Sequence, residues 1–232
     1  YLRRLRHCGW TTSRLAATSW NRTRRDEDRL LSAAGIPRGP LKSSKEEGLV
    51  ERLFVASLHR SIEDLAPEQL EVFVRWFDPT DRRPRFHIAP VIGAVGFLRK
   101  NPTTYPAIME QAGRYASEWS YSDLSKLERS LLESASQFGR ELLLRHLLRS
   151  GLRCIHRDGR LQLQRAGSRL HITVWNSLFC RAGTISLIEP VCSYYAALFA
   201  GLLEQANGGY SSVIESKCRG QGEEACAFEV HR

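Results

Sequence analysis

Six cysteines are the residues of this 232-residue chain best placed to do chemistry, and three of them gather near its end. Cys192 stands at the start of an apolar, helix-like run, Cys218 closes one strand-like run and Cys226 opens the next. Glu215 precedes Cys218 by three residues. Thiolates bind zinc at about 2.3 Å and a carboxylate binds it at about 2.0–2.2 Å, and four such ligands complete a tetrahedron. A hairpin would bring Cys218 and Cys226 together, and a helix packed on that hairpin could present Cys192. On a regular strand Glu215 and Cys218 face opposite sides, so this ligand set requires the strand to bulge at Ser216-Lys217. Lys217, Arg219 and backbone amides could offset the negative charge of such a complex. Spacing alone leaves two other readings open: buried free cysteines, and a Cys218–Cys226 disulfide.

Other chemistries find little support. The chain has no GxxxxGK[ST] loop, no GxGxxG after a strand, no GxSxG and no HExxH. The acid pair Glu223-Glu224 falls in a Gly- and Glu-rich loop, and Cys8, Cys154 and Cys180 do not sit in a motif that would mark a nucleophile. The residues read as those of a binding protein rather than an enzyme.

Charge is confined to one end. Of the formal net charge of +9, residues 1–45 supply eleven Lys and Arg against Asp26, Glu27 and Asp28. The remainder is nearly balanced, which argues against nucleic acid as a partner of the body. The arm reads either as a loosely ordered basic leader or as an organellar import signal, with a cytoplasmic protein expected in the first case. Pro37 to Ser44 reads as a linker. No apolar run is long enough for a membrane-spanning helix.

The elements that must position the cysteines follow from periodicity. From Glu46, Leu49, Val50, Leu53, Phe54 and Leu58 recur at helical spacing, Pro67 opens a second helix through Trp76, and Ile88 to Leu98 forms a third apolar stretch suited to core packing or a dimer interface. Thr103 or Thr104 caps a helix reaching Trp119, and Ser122 or Asp123 caps the longest helix, predicted to end at Ser150-Gly151. The period then changes to two. Leu152 to His156 is predicted to be a strand, turned at Asp158-Gly159 into a returning strand through Leu161 and Leu163, with a third strand carrying Leu170, Ile172 and Val174. A helix marked by Pro190 follows, and the last two strands are expected at Tyr210 to Glu215 and Cys226 to His231. The fold class is α+β: a helical N-terminal half, then an antiparallel sheet packed against helices with the zinc site in its C-terminal hairpin.

The run from Glu189 to Val230, EPVCSYYAALFAGLLEQANGGYSSVIESKCRGQGEEACAFEV, resembles the C-terminal half of the V4R (4-vinyl reductase) domain, and Trp175-Asn176-Ser177-Leu178-Phe179 resembles that family's strand end. The resemblance covers residues 103–232, leaving 1–45 as a basic arm and 46–100 as a helical extension. It implies a small α/β ligand-binding module with a structural zinc on Cys192, Glu215, Cys218 and Cys226. It further implies a pocket for an apolar or aromatic molecule between helices and sheet. Trp175, Phe179, Tyr194, Tyr195, Phe199 and Tyr210 are its candidate lining, with His146 or His171 as polar anchor. By the same resemblance the protein is a sensor or carrier of an aromatic, hydrocarbon or tetrapyrrole ligand. It would act through a partner, or as a homodimer, using residues 46–100. The alternatives are a bacteriochlorophyll-biosynthesis accessory protein or nominal 4-vinyl reductase, and a structural subunit of a larger assembly.

Overall fold

The computed structural model describes residues 48–77, 83–134, 137–166, 169–181, 191–207, 209 and 212–231. The basic arm, the linker before Ser44, Cys8, Pro190 and Tyr210 lie outside them.

The N-terminal part opens with a short strand β1 (Leu49–Glu51) and helix α1 (Arg52–Leu65). Phe54, Leu58 and Ile62 fall one turn apart on α1 and are all fully buried, the one-stripe pattern of a surface helix. A turn at Pro67–Gln69 leads into α2 (Leu70–Trp76). Strand β2 (Arg85–His87) pairs antiparallel with β1, Val50 opposite Phe86, before α3 (Ile88–Leu98). Nearly all of α3 is apolar, and Val91, Ile92, Ala94 and Val95 are buried in the core.

Helix α4 (Tyr105–Ser122) is the scaffold's central rod and packs along both α1 and the later helix α8 (Ser193–Asn207). Its contact with α8 is close because Gly113 and Gly201 lack side chains. A Cβ at Gly113 would run into the Tyr194 carbonyl, and one at Gly201 into the Ser117 hydroxyl. Asn101 Oδ1, rather than either threonine side chain, accepts from the Thr103 and Thr104 amides ahead of α4.

After Ser122 the chain is helical over α5 (Lys126–Ser134) and α6 (Gln137–Arg153), with residues 135–136 outside the described ones. Ser125 and Glu128 form a reciprocal cap at the start of α5, Glu128 accepting from the Ser125 amide and Ser125 from the Glu128 amide. Helix α6 also runs through Gly151 instead of stopping there, with that glycine facing Leu202 of α8. The strand predicted at Leu152–His156 is correspondingly absent. Leu152 ends in helix, and His156 makes only an isolated bridge to Val50 of β1. Glycine in a helix costs only about 1 kcal/mol, which tertiary packing overrides here.

The sheet has four antiparallel strands: β3 (Arg160–Ala166), β4 (Arg169–Trp175), β5 (Ser212–Lys217) and β6 (Cys226–His231), in the order β3-β4-β6-β5. Leu161, Leu163, Ile172, Val174, Phe228 and Val230 alternate onto its buried face. Buried residues from Val50 to Val230 form one continuous core, so α1 and α3 share it with the sheet. No helix among the described residues is long and apolar enough to cross a membrane.

Candidate metal centre and the aromatic cluster beside it

Four cysteines meet at one end of the sheet. Cys180 lies in the short helix α7 (Leu178–Arg181). The chain enters that helix through Asn176, held at φ 58°, a left-handed conformation that asparagine tolerates better than most residues. Asn176 also donates to the Asp158 carbonyl, and Ser177 Oγ accepts from the Cys180 amide as a helix cap. Cys192 immediately precedes α8, where its carbonyl accepts from the Tyr195 and Ala196 amides. Cys218 follows β5, and Cys226 opens β6.

The register between β5 and β6 shifts between Glu215 and Lys217, which pair with Phe228 and Ala227. This is the bulge that the spacing of Glu215 and Cys218 requires. It leaves Lys217 exposed and turns Cys218 inward.

Cys180 Sγ lies 3.6 Å from Cys192 Sγ, 3.7 Å from Cys218 Sγ and 3.4 Å from Cys226 Sγ, and Cys192 Sγ lies 3.6 Å from Cys226 Sγ. All four sulfurs fall within 4.8 Å of one another. A disulfide needs about 2.05 Å, so no pair is bonded, and all five described cysteines are free thiols. Four sulfurs at about 2.3 Å from a central zinc stand about 3.8 Å apart along the tetrahedron's edges. The observed separations lie within a few tenths of an ångström of those edges, so the residues fit a four-thiolate metal.

The surroundings suit thiolates. Cys226 Sγ accepts from the Arg219 amide at 3.4 Å, and Ser177 Oγ lies 3.3 Å from Cys192 Sγ. Hydrogen bonds from Cys192, Cys218 and Cys226 pull the Cys180 thiol well below its usual pKa, whereas burial pushes Cys192 up. Lys217 takes no part in offsetting the charge; its ammonium pairs with Glu223 in solvent at 3.6 Å.

Glu215 stands next to this group of four sulfurs. Its Oε2 accepts from the Cys192 amide at 2.8 Å, and its Oε1 is buried without a hydrogen-bond partner. Burial, then the neighbouring Cys218, pushes this carboxyl up to about 8. Cys192, Cys218 and Cys226 thus come together as their spacing suggested, and the fourth sulfur belongs to Cys180. No CxxC spacing announces Cys180. The available signal is its position directly after the Trp175–Phe179 strand end, one residue beyond the quoted motif.

The aromatic residues divide into two groups. Phe179, Tyr194, Tyr195 and Phe199 are fully buried and packed on one another, with Phe179 and Tyr195 centroids 4.7 Å apart and Tyr195 and Phe199 stacked at 6.0 Å. Phe54 of α1 and Phe228 of β6 complete the cluster. Its polar tips are all engaged: Tyr194 Oη lies 2.9 Å from Ser57 Oγ, and Tyr195 Oη accepts from the Leu178 amide. Trp175 and His171 project from the opposite face of β4 to buried Ile172 and Val174, and His146 is exposed on α6. Those three are not brought to the cluster. Phe54 and Ser57, which are, come from the segment the resemblance did not cover.

Solved structures similar to this chain include the following two. The phenol-responsive sensory domain of the transcription activator PoxR, determined with phenol, is 16% identical over 62% of this chain and 74% of its own, with a TM-score of 0.48. A vinyl-4-reductase family protein from Methanocaldococcus jannaschii is 20% identical over 73% of this chain and 92% of its own, with a TM-score of 0.38. No curated protein matches the chain. Among protein families, the match is to the V4R domain over residues 170–232, a span that contains all four cysteines of the cluster. What the chain shares with a known family is thus confined to its C-terminal segment, residues 170–232, which match the V4R domain.

Proposed function

We propose that the chain is a small-molecule-binding module built around a structural zinc ion held by Cys180, Cys192, Cys218 and Cys226, and that it works as a sensor or carrier through a partner. The observation that carries the metal is the set of sulfur separations: four of the six are 3.4–3.7 Å, near the edge of a zinc–thiolate tetrahedron, and all lie within 4.8 Å. Four protein ligands leave no coordination position for water or substrate, so the ion's role is to hold α7, the start of α8 and the β5–β6 connection together. Glu215 then supports the site from outside by holding the Cys192 amide.

The ligand-binding reading rests on continuity between the metal and the aromatic cluster. Cys180 and Phe179 are neighbours on α7, and Tyr194 and Tyr195 follow Cys192 by two and three residues. Rearranging the aromatic rings to admit an apolar ligand would therefore pull directly on two metal-bearing segments. Within residues 46–100, a partner would meet the outer faces of α1 and α2, where Arg60, Glu63 and Glu71 are exposed, because α3 is largely buried.

Native mass spectrometry of the full chain, followed by the denatured mass, tests the proposal. One zinc per chain plus an organic adduct supports both parts, and the adduct's mass separates a tetrapyrrole from a small aromatic. A chain without metal whose denatured mass is lighter by two protons contains a disulfide and overturns the zinc assignment.

A further inference from the structure

Arg99, at the C-terminal end of α3, lies outside the V4R segment yet is linked to both chain segments that deliver its first two cysteines, to one directly and to the other through Tyr105. Its Nη2 donates to the Phe179 carbonyl at 2.6 Å, the peptide directly before Cys180. Arg99 Cζ also sits over the Tyr105 ring, 5.4 Å from its centroid, and Nη2 reaches the Tyr105 hydroxyl at 3.4 Å. Tyr105 in turn donates to the Val191 carbonyl at 3.2 Å, the peptide directly before Cys192. Burial pushes the Tyr105 phenol up to about 12, which keeps it a donor near neutral pH.

The remaining guanidinium nitrogens, Nε and Nη1, are buried without hydrogen-bond partners. Holding one carbonyl does not require a full positive charge, and burying unpaired charged donors is costly. A negative field makes that cost tolerable. Four thiolates around a divalent ion carry two negative charges in excess, and Arg99 and the Tyr105 hydroxyl it touches bond the carbonyls directly before Cys180 and Cys192.

We propose that Arg99 is the positioning cation of the cysteine cluster: through the Phe179 carbonyl and the Tyr105 hydroxyl it fixes the segments bearing Cys180 and Cys192, and its charge offsets that of the metal-bound thiolates. This rests on the metal reading above. It assigns to a residue of the N-terminal part a share in metal affinity that the V4R segment does not supply alone.

The test is chelator competition for zinc, together with the visible spectrum of the cobalt-substituted protein, on the full chain and its Arg99→Met, Arg99→Lys and Tyr105→Phe variants. Arg99→Met is expected to lower zinc affinity about 10- to 100-fold, the range found for loss of an outer-shell partner. The cobalt bands should shift as the thiolate geometry relaxes, and Arg99→Lys should recover part of the affinity. If Arg99→Met does not fold, Tyr105→Phe, which removes one hydroxyl, is decisive; it should weaken binding and shift the bands in the same direction. Wild-type affinity and spectrum in the folded variants would overturn the assignment while leaving the metal site intact. A wild-type chain that takes up neither zinc nor cobalt would overturn both.

Discussion

Cys180 Sγ lies 3.4 Å from Cys226 Sγ although 46 residues separate them in sequence. One thiol comes from a four-residue helix and the other from the first residue of a central strand, so only the finished fold makes them neighbours. The pair joins the turn after β4 to the strand beside it, and a metal between them would stabilise the folded chain by its whole binding energy.

The competing roles of Cys180 and Glu215 can be separated by substitution. Cys180→Ser removes a ligand and should reduce zinc affinity by more than the ~10- to 100-fold that an outer-shell loss costs. Glu215→Gln keeps a side-chain oxygen able to accept from the Cys192 amide and should stay within about tenfold of wild type. Zinc content after dialysis against a graded chelator reads both. The reverse ranking would make Glu215 the fourth ligand and Cys180 a bystander.

The helix contact behind the site makes a second demand. A methyl group at Gly113 would meet the Tyr194 backbone, lie 2.9 Å from Ala197 Cβ and come within 3.1 Å of the Leu198 amide. Backbone cannot turn aside as a side-chain tip can. Gly113→Ala should cost about 1–3 kcal/mol despite alanine's better helix propensity. A chemical denaturation midpoint equal to or above wild type would mean that α4 and α8 can separate freely.

How far the sequence could be read depended on whether the deciding force was local. Periodicity sufficed for α4 and α8, where buried residues recur one turn apart, and for the alternating sheet; it started α1 too early, because Leu49 and Val50 of its expected stripe pair with His87 and Phe86 as strand β1. The bulge after Glu215 was legible because two polar residues at odd spacing had to face one point. Helix α6 was misjudged because Gly151 looks like a terminus locally, whereas its contact with Leu202 is a tertiary fact. Cys180 was missed for the same kind of reason: its partners are 12, 38 and 46 residues away. Arg99 and Tyr105 gave no local signal at all, since both act through the backbone carbonyls of a distant segment.

The bond between α1 and α8 should respond unequally to losing either partner. Ser57 Oγ donates to the Phe54 carbonyl, so its contact with Tyr194 Oη is one in which the tyrosine donates. Tyr194→Phe leaves Ser57 satisfied and should cost about 0.5–1.5 kcal/mol. Ser57→Ala strands a fully buried phenol hydroxyl and should cost about 1–3 kcal/mol. Equilibrium unfolding of both single variants checks the order, and equal costs would mean that Tyr194 finds another acceptor.

Acid should loosen the joint between β1 and the segment after α6. His156 is fully buried where it bridges Val50, both ring nitrogens lack hydrogen-bond partners, and Asp158 Oδ2 stands 3.7 Å from Nε2. Burial, reinforced by Arg181 and only partly opposed by Asp158, lowers its pKa to about 4 from an ordinary 6.5. The unfolded chain therefore takes up this proton at a higher pH than the folded chain does. The stability that neutral His156 allows is complete above about pH 6.5 and drains away as the pH falls towards 4. At 1.36 kcal/mol per pKa unit the loss is of order 3 kcal/mol. Leucine at this position cannot be protonated, so His156→Leu should flatten the decline between pH 6.5 and 4 by that amount, whatever its constant packing cost. Proton competition for the thiolates acts on both proteins and cancels in the difference. Parallel stability curves for the two across this window would show that His156 is already charged, or already paired, in the folded protein.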